Sequence, residues 1–218
     1  MGNQVMVKNL KLKEIKKNIP DDYSVEEFIN HHYKSNGFSN EKIKNDLIDL
    51  LKFAYYGIMY KRWRVLNMRI AIGSDHAGYE LKCEIINYLQ HKNMEIYDVG
   101  TFNKESVDYP DYAVSVCQIL NRGNSDFGIL VCYTGIGMCM AANKVNGIRA
   151  ALVTNEENAR LTREHNDANV LCLGAKDTDF ATAKKIIDAF LSTEFAGERH
   201  LRRVTKVMNI EKNEKEKR

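Results

Sequence analysis

The chain has 218 residues, 44% of them hydrophobic and 28% charged, with a formal net charge of +3. That length exceeds one small domain and falls short of two full-sized ones, so one main core plus an appendage is expected. The composition is that of a soluble globular protein and excludes disorder throughout.

Residues 1–67 hold 12 Lys and Arg against 8 Asp and Glu, whereas Met68 onward holds 20 against 21, so the basic surplus sits in the first segment. Such a segment can attract nucleic acid, but no basic motif with interleaved aromatics develops beyond YKRWR at Tyr60–Arg64, so a solvated helix face is expected and no nucleic-acid partner. Ser24 and Glu27 form a capping box for one helix, Gly37 stops it, and a second runs from Asn40 to Trp63. Its stripe of Ile43, Leu47, Leu50, Leu51, Ala54 and Ile58 must be buried against something. His31 and His32 lack acidic or cysteine partners at ligand spacing, so no metal site is expected there. The longest apolar run, Phe53–Tyr60, is bounded by Lys52 and Lys61 and falls far short of the roughly 20 residues of a bilayer span. With no apolar stretch of a secretory signal at the start, and Met6 where a myristoylation signal needs Ser or Thr, a cytoplasmic protein without membrane contact is expected.

From Met68 the periodicity changes to short apolar strands alternating with amphipathic helices. MRIAIGS, EIYDVG, FGILVCYT, GIRAALVT and NVLCLG read as strands, with helices over YELKCEIINYLQHK, after Pro110, and after each later strand. This predicts a doubly wound α/β fold, in which ligands sit outside the carboxyl ends of the strands. The segments to inspect are therefore Ser74–Gly78, Cys132–Met138 and the turns after the last two strands.

Five cysteines without CxxC or Cys/His spacing argue against zinc and disulfides, and Cys83, Cys117 and Cys172 read as small buried hydrophobes. Cys132 differs, because it ends a β-branched run just ahead of Gly135 and Gly137. A helix starting near Gly137 would aim free N–H groups at that space, and the glycines let backbone N–H groups close around an anion. The stretch lacks the third Gly or Ala of a dinucleotide fingerprint, the Gly-Lys-Ser/Thr of a P-loop and the Arg of a cysteine phosphatase loop. Spacing alone leaves two readings open: an anion site with a reactive cysteine, or simply a tight strand-to-helix turn.

Further clusters give a specific resemblance. Asp75-His76-Ala77-Gly78, Asp108-Tyr109-Pro110, Cys132 to Met138, Ala141 to Lys144, His165-Asn166-Asp167 and Arg199-His200 match, in order and spacing, the pattern of the ribose-5-phosphate isomerase B family. The resemblance spans nearly all of the chain past Met68, so residues 68–218 are expected to be the isomerase domain and 1–67 a helical extension of unknown role.

The resemblance implies a Rossmann-like three-layer α/β/α fold with a five-stranded parallel sheet. It implies an aldose–ketose isomerisation through a cis-enediolate, without metal or cofactor. The protein would work on a phosphorylated sugar as a homodimer or homotetramer with active sites shared between subunits. By this resemblance Cys132 is the base that moves the proton between C1 and C2, and the N–H groups of Gly135, Ile136 and Gly137 hold the enediolate oxygen. Thr134 and His165 open the furanose ring, Asn166 steadies the enediolate, and Asp75 orients substrate hydroxyls. His76, Arg199 and Arg203 bind phosphate, and Tyr109 and Lys176 add substrate contacts. Met138 occupies the position of a glutamate in a second branch, which places this chain with the cysteine branch. Three residues depart from the pattern: Tyr133 stands for a glycine, Cys139 for a serine and Lys176 for an arginine. Ribose 5-phosphate is the expected substrate, with galactose 6-phosphate, allose 6-phosphate or a non-catalytic sugar-phosphate sensor as alternatives.

Overall fold

The computed structural model describes residues 68–216. The helical pair expected upstream, with its Ile43–Ile58 stripe and His31 and His32, lies outside the described residues. In chain order these form β1 (Arg69–Ser74), α1 (Tyr79–His91), β2 (Glu95–Asp98), α2 (Tyr109–Asn121), β3 (Phe127–Cys132), α3 (Ile136–Ala142), β4 (Ala150–Leu152), α4 (Glu156–Asn166), β5 (Val170–Gly174), α5 (Phe180–Ser192) and α6 (Glu198–Glu216).

The strands make one parallel sheet in the order β2-β1-β3-β5-β4. β3 and β5 are buried along their whole length, as expected when helices cover both faces of a parallel sheet. Alternation along the strands divides the core. Ile70, Ile72, Ile129, Val131, Leu171 and Leu173 pack with α1, α4 and α5, while Ala71, Leu130, Cys132, Val170 and Cys172 pack with α2 and α3. Cys132 thus belongs to the α2/α3 side of the sheet.

The chain runs outward from β1 to β2 and returns to the other side of β1 as β3. That reversal opens a crevice between the carboxyl ends of β1 and β3, the usual ligand position in open α/β sheets. The Asp75 N–H donates to the Val131 carbonyl at 3.2 Å and ties the two strand ends together.

Several local expectations shift. α2 begins at Tyr109 with Pro110 in its first turn, where proline's missing N–H costs nothing. α3 begins at Ile136 with Gly135 as its N-cap, and β4 shrinks to Ala150–Leu152 within the longer GIRAALVT run. Cys83 is exposed rather than buried. The buried face of α1 is instead Leu81, Lys82, Ile85 and Leu89. Lys82 is fully buried because its Nζ lies 2.6 and 2.8 Å from the two carboxylate oxygens of Asp98. Among the described residues no helix is long and apolar enough to cross a membrane.

Candidate active site

Cys132 is the last residue of β3 and is 4% exposed. Its Sγ accepts a hydrogen bond from the Gly135 N–H at 3.1 Å. The loop closes this tightly because Gly135 takes φ = +75°, a left-handed conformation that L side chains disfavour. A Cβ there would also lie 2.5 Å from Leu152 Cδ1 and 2.9 Å from the Leu173 carbonyl carbon. The next turn is α3, whose first N–H groups have no intrahelical acceptor. The Ile136 N–H approaches Thr134 Oγ1 at 3.4 Å. Gly137 carries the Tyr109 ring against its backbone, since a Cβ there would meet Tyr109 Cζ at 2.7 Å.

The other wall comes from the turn after β1. Asp75, 6% exposed, accepts the Gly78 N–H on Oδ1 at 2.9 Å, which fixes its carboxylate at the crevice. His76 is half-buried, and its Nδ1 faces the Val107 N–H at 3.2 Å. Because that N–H can only donate, His76 Nδ1 is the acceptor and Nε2 carries the ring proton. The turn after β5 completes the frame: the Ala175 and Lys176 N–H groups donate to the Cys132 and Tyr133 carbonyls, each at 2.9 Å. Lys176 Nζ stands 5.9 Å from the Tyr133 ring centroid, and that ring is 56% exposed. The structure therefore brings Asp75, His76, Tyr109, Cys132, Thr134, Gly135, Ile136, Gly137 and Lys176 to one edge of the sheet.

His165, Asn166 and Arg203 lie elsewhere. With Arg149, His200, Val204 and Val207 they line a second cleft of about 320 Å³. His165 and Asn166 end α4, and in a parallel α/β sheet the helices run back so that their carboxyl ends lie beside the strands' amino ends. Arg149 directly precedes β4 and donates from Nε to the Asp167 carbonyl at 2.7 Å, which places the cleft at that same edge. The Cys132 loop and the His165 cleft thus stand at opposite edges of the sheet, separated by a six-residue β3 on the order of 16 Å long. Arg199 is not in the cleft wall; its Nε donates to His200 Nε2 at 3.2 Å.

Sequence reasoning passed over Arg149 and His200. Arg149 follows a turn and opens a strand, a place with no catalytic signature. His200 stood in the quoted Arg-His pair, and only its contact with His165 marks it out. The two rings are parallel within 3° with centroids 4.2 Å apart.

The remaining thiols sort by environment. Burial pushes the Cys117 thiol up to about 12. Cys139 is half-buried, and a hydrogen bond with the Cys172 thiol, reinforced by the Leu152 backbone and Asn143, draws it down to about 7 against the opposing effect of burial. The fully buried Cys172 moves the opposite way through the same bond and its burial.

Comparison with known proteins decides the family. The ribose/galactose isomerase family model matches residues 70–207. This chain belongs to that family. A Rickettsia conorii relative, named provisionally as a sugar phosphate isomerase, is 53% identical over 138 residues, covering 63% of this chain and 96% of its own. The ribose-5-phosphate isomerase B structure from Clostridium thermocellum aligns at 50% identity with a TM-score of 0.66, over 67% of this chain and 99% of that one. The Mycoplasma genitalium enzyme of the same name, with ribulose-5-phosphate bound, aligns at 44% identity with a TM-score of 0.63, over 66% and 96%. The observed sheet is the five-stranded parallel α/β fold of these isomerases.

Proposed function

We propose that residues 68–218 form an isomerase that interconverts ribose 5-phosphate and ribulose 5-phosphate through a cis-enediolate, with Cys132 as the base. The observation that carries this reading is the Cys132 sulfur beside the Gly135–Gly137 backbone at the β1/β3 crevice. The relatives' names, and the ribulose-5-phosphate held by one of them, support the substrate class.

Only the open-chain aldose has an acidic proton beside a carbonyl, so ring opening comes first and falls to Thr134 and His165. Cys132 then takes the proton from C2 and returns it to C1. Negative charge growing on the carbonyl oxygen meets the N–H groups of Gly135, Ile136 and Gly137, donors already in place before the reaction. Asp75 and Tyr109 orient hydroxyls, with Lys176 at the rim and Asn166 next to His165. His76, Arg199 and Arg203 hold the phosphate; guanidinium forks suit its oxygens and keep their charge at every working pH.

Opposite sheet edges separate Cys132 from His165 within one chain, so a complete site takes the Cys132 loop of one copy and the His165 cleft of a second. This supports a homodimer, or a homotetramer made of two such dimers, as the working unit. Turnover of ribose 5-phosphate, allose 6-phosphate and galactose 6-phosphate by the full chain tests the reading. Ribose 5-phosphate should react fastest. A faster six-carbon substrate would reassign the specificity, and binding without turnover of any would make the chain a sensor.

A further inference from the structure

The second cleft contains a histidine that the mechanism does not use. His200 is only 8% exposed, although it lies in the first turn of α6 between the exposed Arg199 and Leu201. Its position follows from the turn that precedes it. Gly197 and Glu198 both take left-handed φ, +67° and +43°. For glutamate that conformation is unfavourable and persists only where the surroundings hold it. Here the Ala196 N–H donates to the Glu164 carbonyl at 3.0 Å, and the His200 N–H donates to the Gly197 carbonyl at 2.8 Å. The first bond locks the entry to α6 onto the residue immediately before His165, and the reversal lays the His200 ring on the His165 ring.

The ring's protonation follows from its neighbour. Arg199 Nε can only donate, so His200 Nε2 accepts and the ring proton sits on Nδ1. A proton added to Nε2 would break that bond and set a cation against the face of His165. Burial first, then the charges of His165, Arg199 and Arg203, hold the His200 pKa below the ordinary histidine value, with Glu164 opposing. Arg149, in the same cleft wall, adds a further positive charge on that side.

We propose that His200 is a positioning residue: neutral, bonded through Nε2 to Arg199, it holds the His165 imidazole by its face and transfers no proton itself. This rests on the reading of His165 as a ring-opening group. Its effect should appear in both directions, because the groups that open the aldofuranose also close it in reverse and the equilibrium constant fixes the ratio of the two kcat/KM values. The stack would keep His165 aimed, and misaiming a catalytic group can cost up to about 10²-fold.

The experiment uses the full chain and three variants, His200→Ala, His200→Phe and His165→Ala. His200→Ala should lower kcat/KM roughly 10- to 100-fold, by the same factor in both directions. His200→Phe keeps a ring face without a nitrogen and should recover most of the loss. In ¹H NMR the His165 Hε1 line should keep its ring-current shift in His200→Phe and lose it in His200→Ala. ¹⁵N shifts of the wild type should show Nδ1 protonated and Nε2 bare. The proposal is overturned if His200→Phe is as poor as His165→Ala, if His200→Ala matches the wild type in both directions, or if Nε2 carries the proton. The NMR arms need no substrate. A wild type inert on every sugar phosphate would therefore sink the functional reading while the ring-current and ¹⁵N shifts still decide the placement of His200.

Discussion

The backbone N–H of Gly135 donates to the Sγ of Cys132 from 3.1 Å, bridging Tyr133 and Thr134. The contact exists because Gly135 turns left-handed, where an L side chain is disfavoured by about 1–2 kcal/mol, and because no Cβ stands against Leu152, Leu173 and Gly174. Gly135→Ala should therefore lower the unfolding free energy by more than that conformational cost alone and displace the N–H from the sulfur. Denaturant unfolding and kcat measured together check this; a variant with wild-type values of both would show that the loop's geometry is not needed.

The ion pair of Lys82 with Asp98 is a stability device. The Lys82 side chain is 1% exposed, and Asp98 also accepts the Gly100 N–H at 2.9 Å. Breaking a fully buried pair by removing one partner costs about 3–5 kcal/mol; Asp98 is 27% exposed and keeps the Gly100 N–H, so removing Lys82 should cost less than that. Lys82→Met should lower Tm clearly, and adding Asp98→Leu to it should recover part of the loss. Equal stability of Lys82→Met and wild type would contradict the pairing.

How far the sequence discloses this molecule depends on the range of the interaction. The strands and helices past Met68 are legible from local periodicity, and the Cys132 loop from its glycines. The burial of Lys82 is half legible: its spacing to Ile85 and Leu89 puts it on the apolar stripe, but Asp98, the partner that makes burial tolerable, is brought near only by β1 pairing with β2. His200 and Arg149 are illegible for the same reason, since their roles depend on where α6 and the β4 entrance meet the end of α4. The sheet order is set by crossovers, and with it the separation of Cys132 from His165.

Cys139, which stands where the family pattern has a serine, is a half-buried thiol bonded to Cys172. With its thiol drawn down to about 7, more of it is thiolate at a given pH than in an ordinary cysteine. Because the thiolate is the nucleophile, alkylation by iodoacetamide should rise through a midpoint near 7, while Cys117, pushed up to about 12, stays unmodified in the folded protein. Peptide mapping across a pH series reads this directly. A Cys139 midpoint at or above the ordinary thiol value would remove the role given to Cys172.

Tyr133 has no positive φ and exposes its ring beside Lys176, next to the proposed base. A ring that lines the substrate cavity there would limit sugar length. Tyr133→Gly should keep five-carbon turnover and raise the relative rate on allose 6-phosphate. Side-by-side kcat/KM on the two sugars checks it, and an unchanged ratio would mean the ring faces away from the substrate.

The most direct test of the account is the rate of ribose 5-phosphate isomerisation by the full chain and by Cys132→Ala, with phosphosugar binding measured in parallel. Loss of a general base costs roughly 10²- to 10⁴-fold, so the variant should fall by that factor while still binding the sugar phosphate. Wild-type turnover in Cys132→Ala would contradict the assignment of Cys132 as the group that moves the proton.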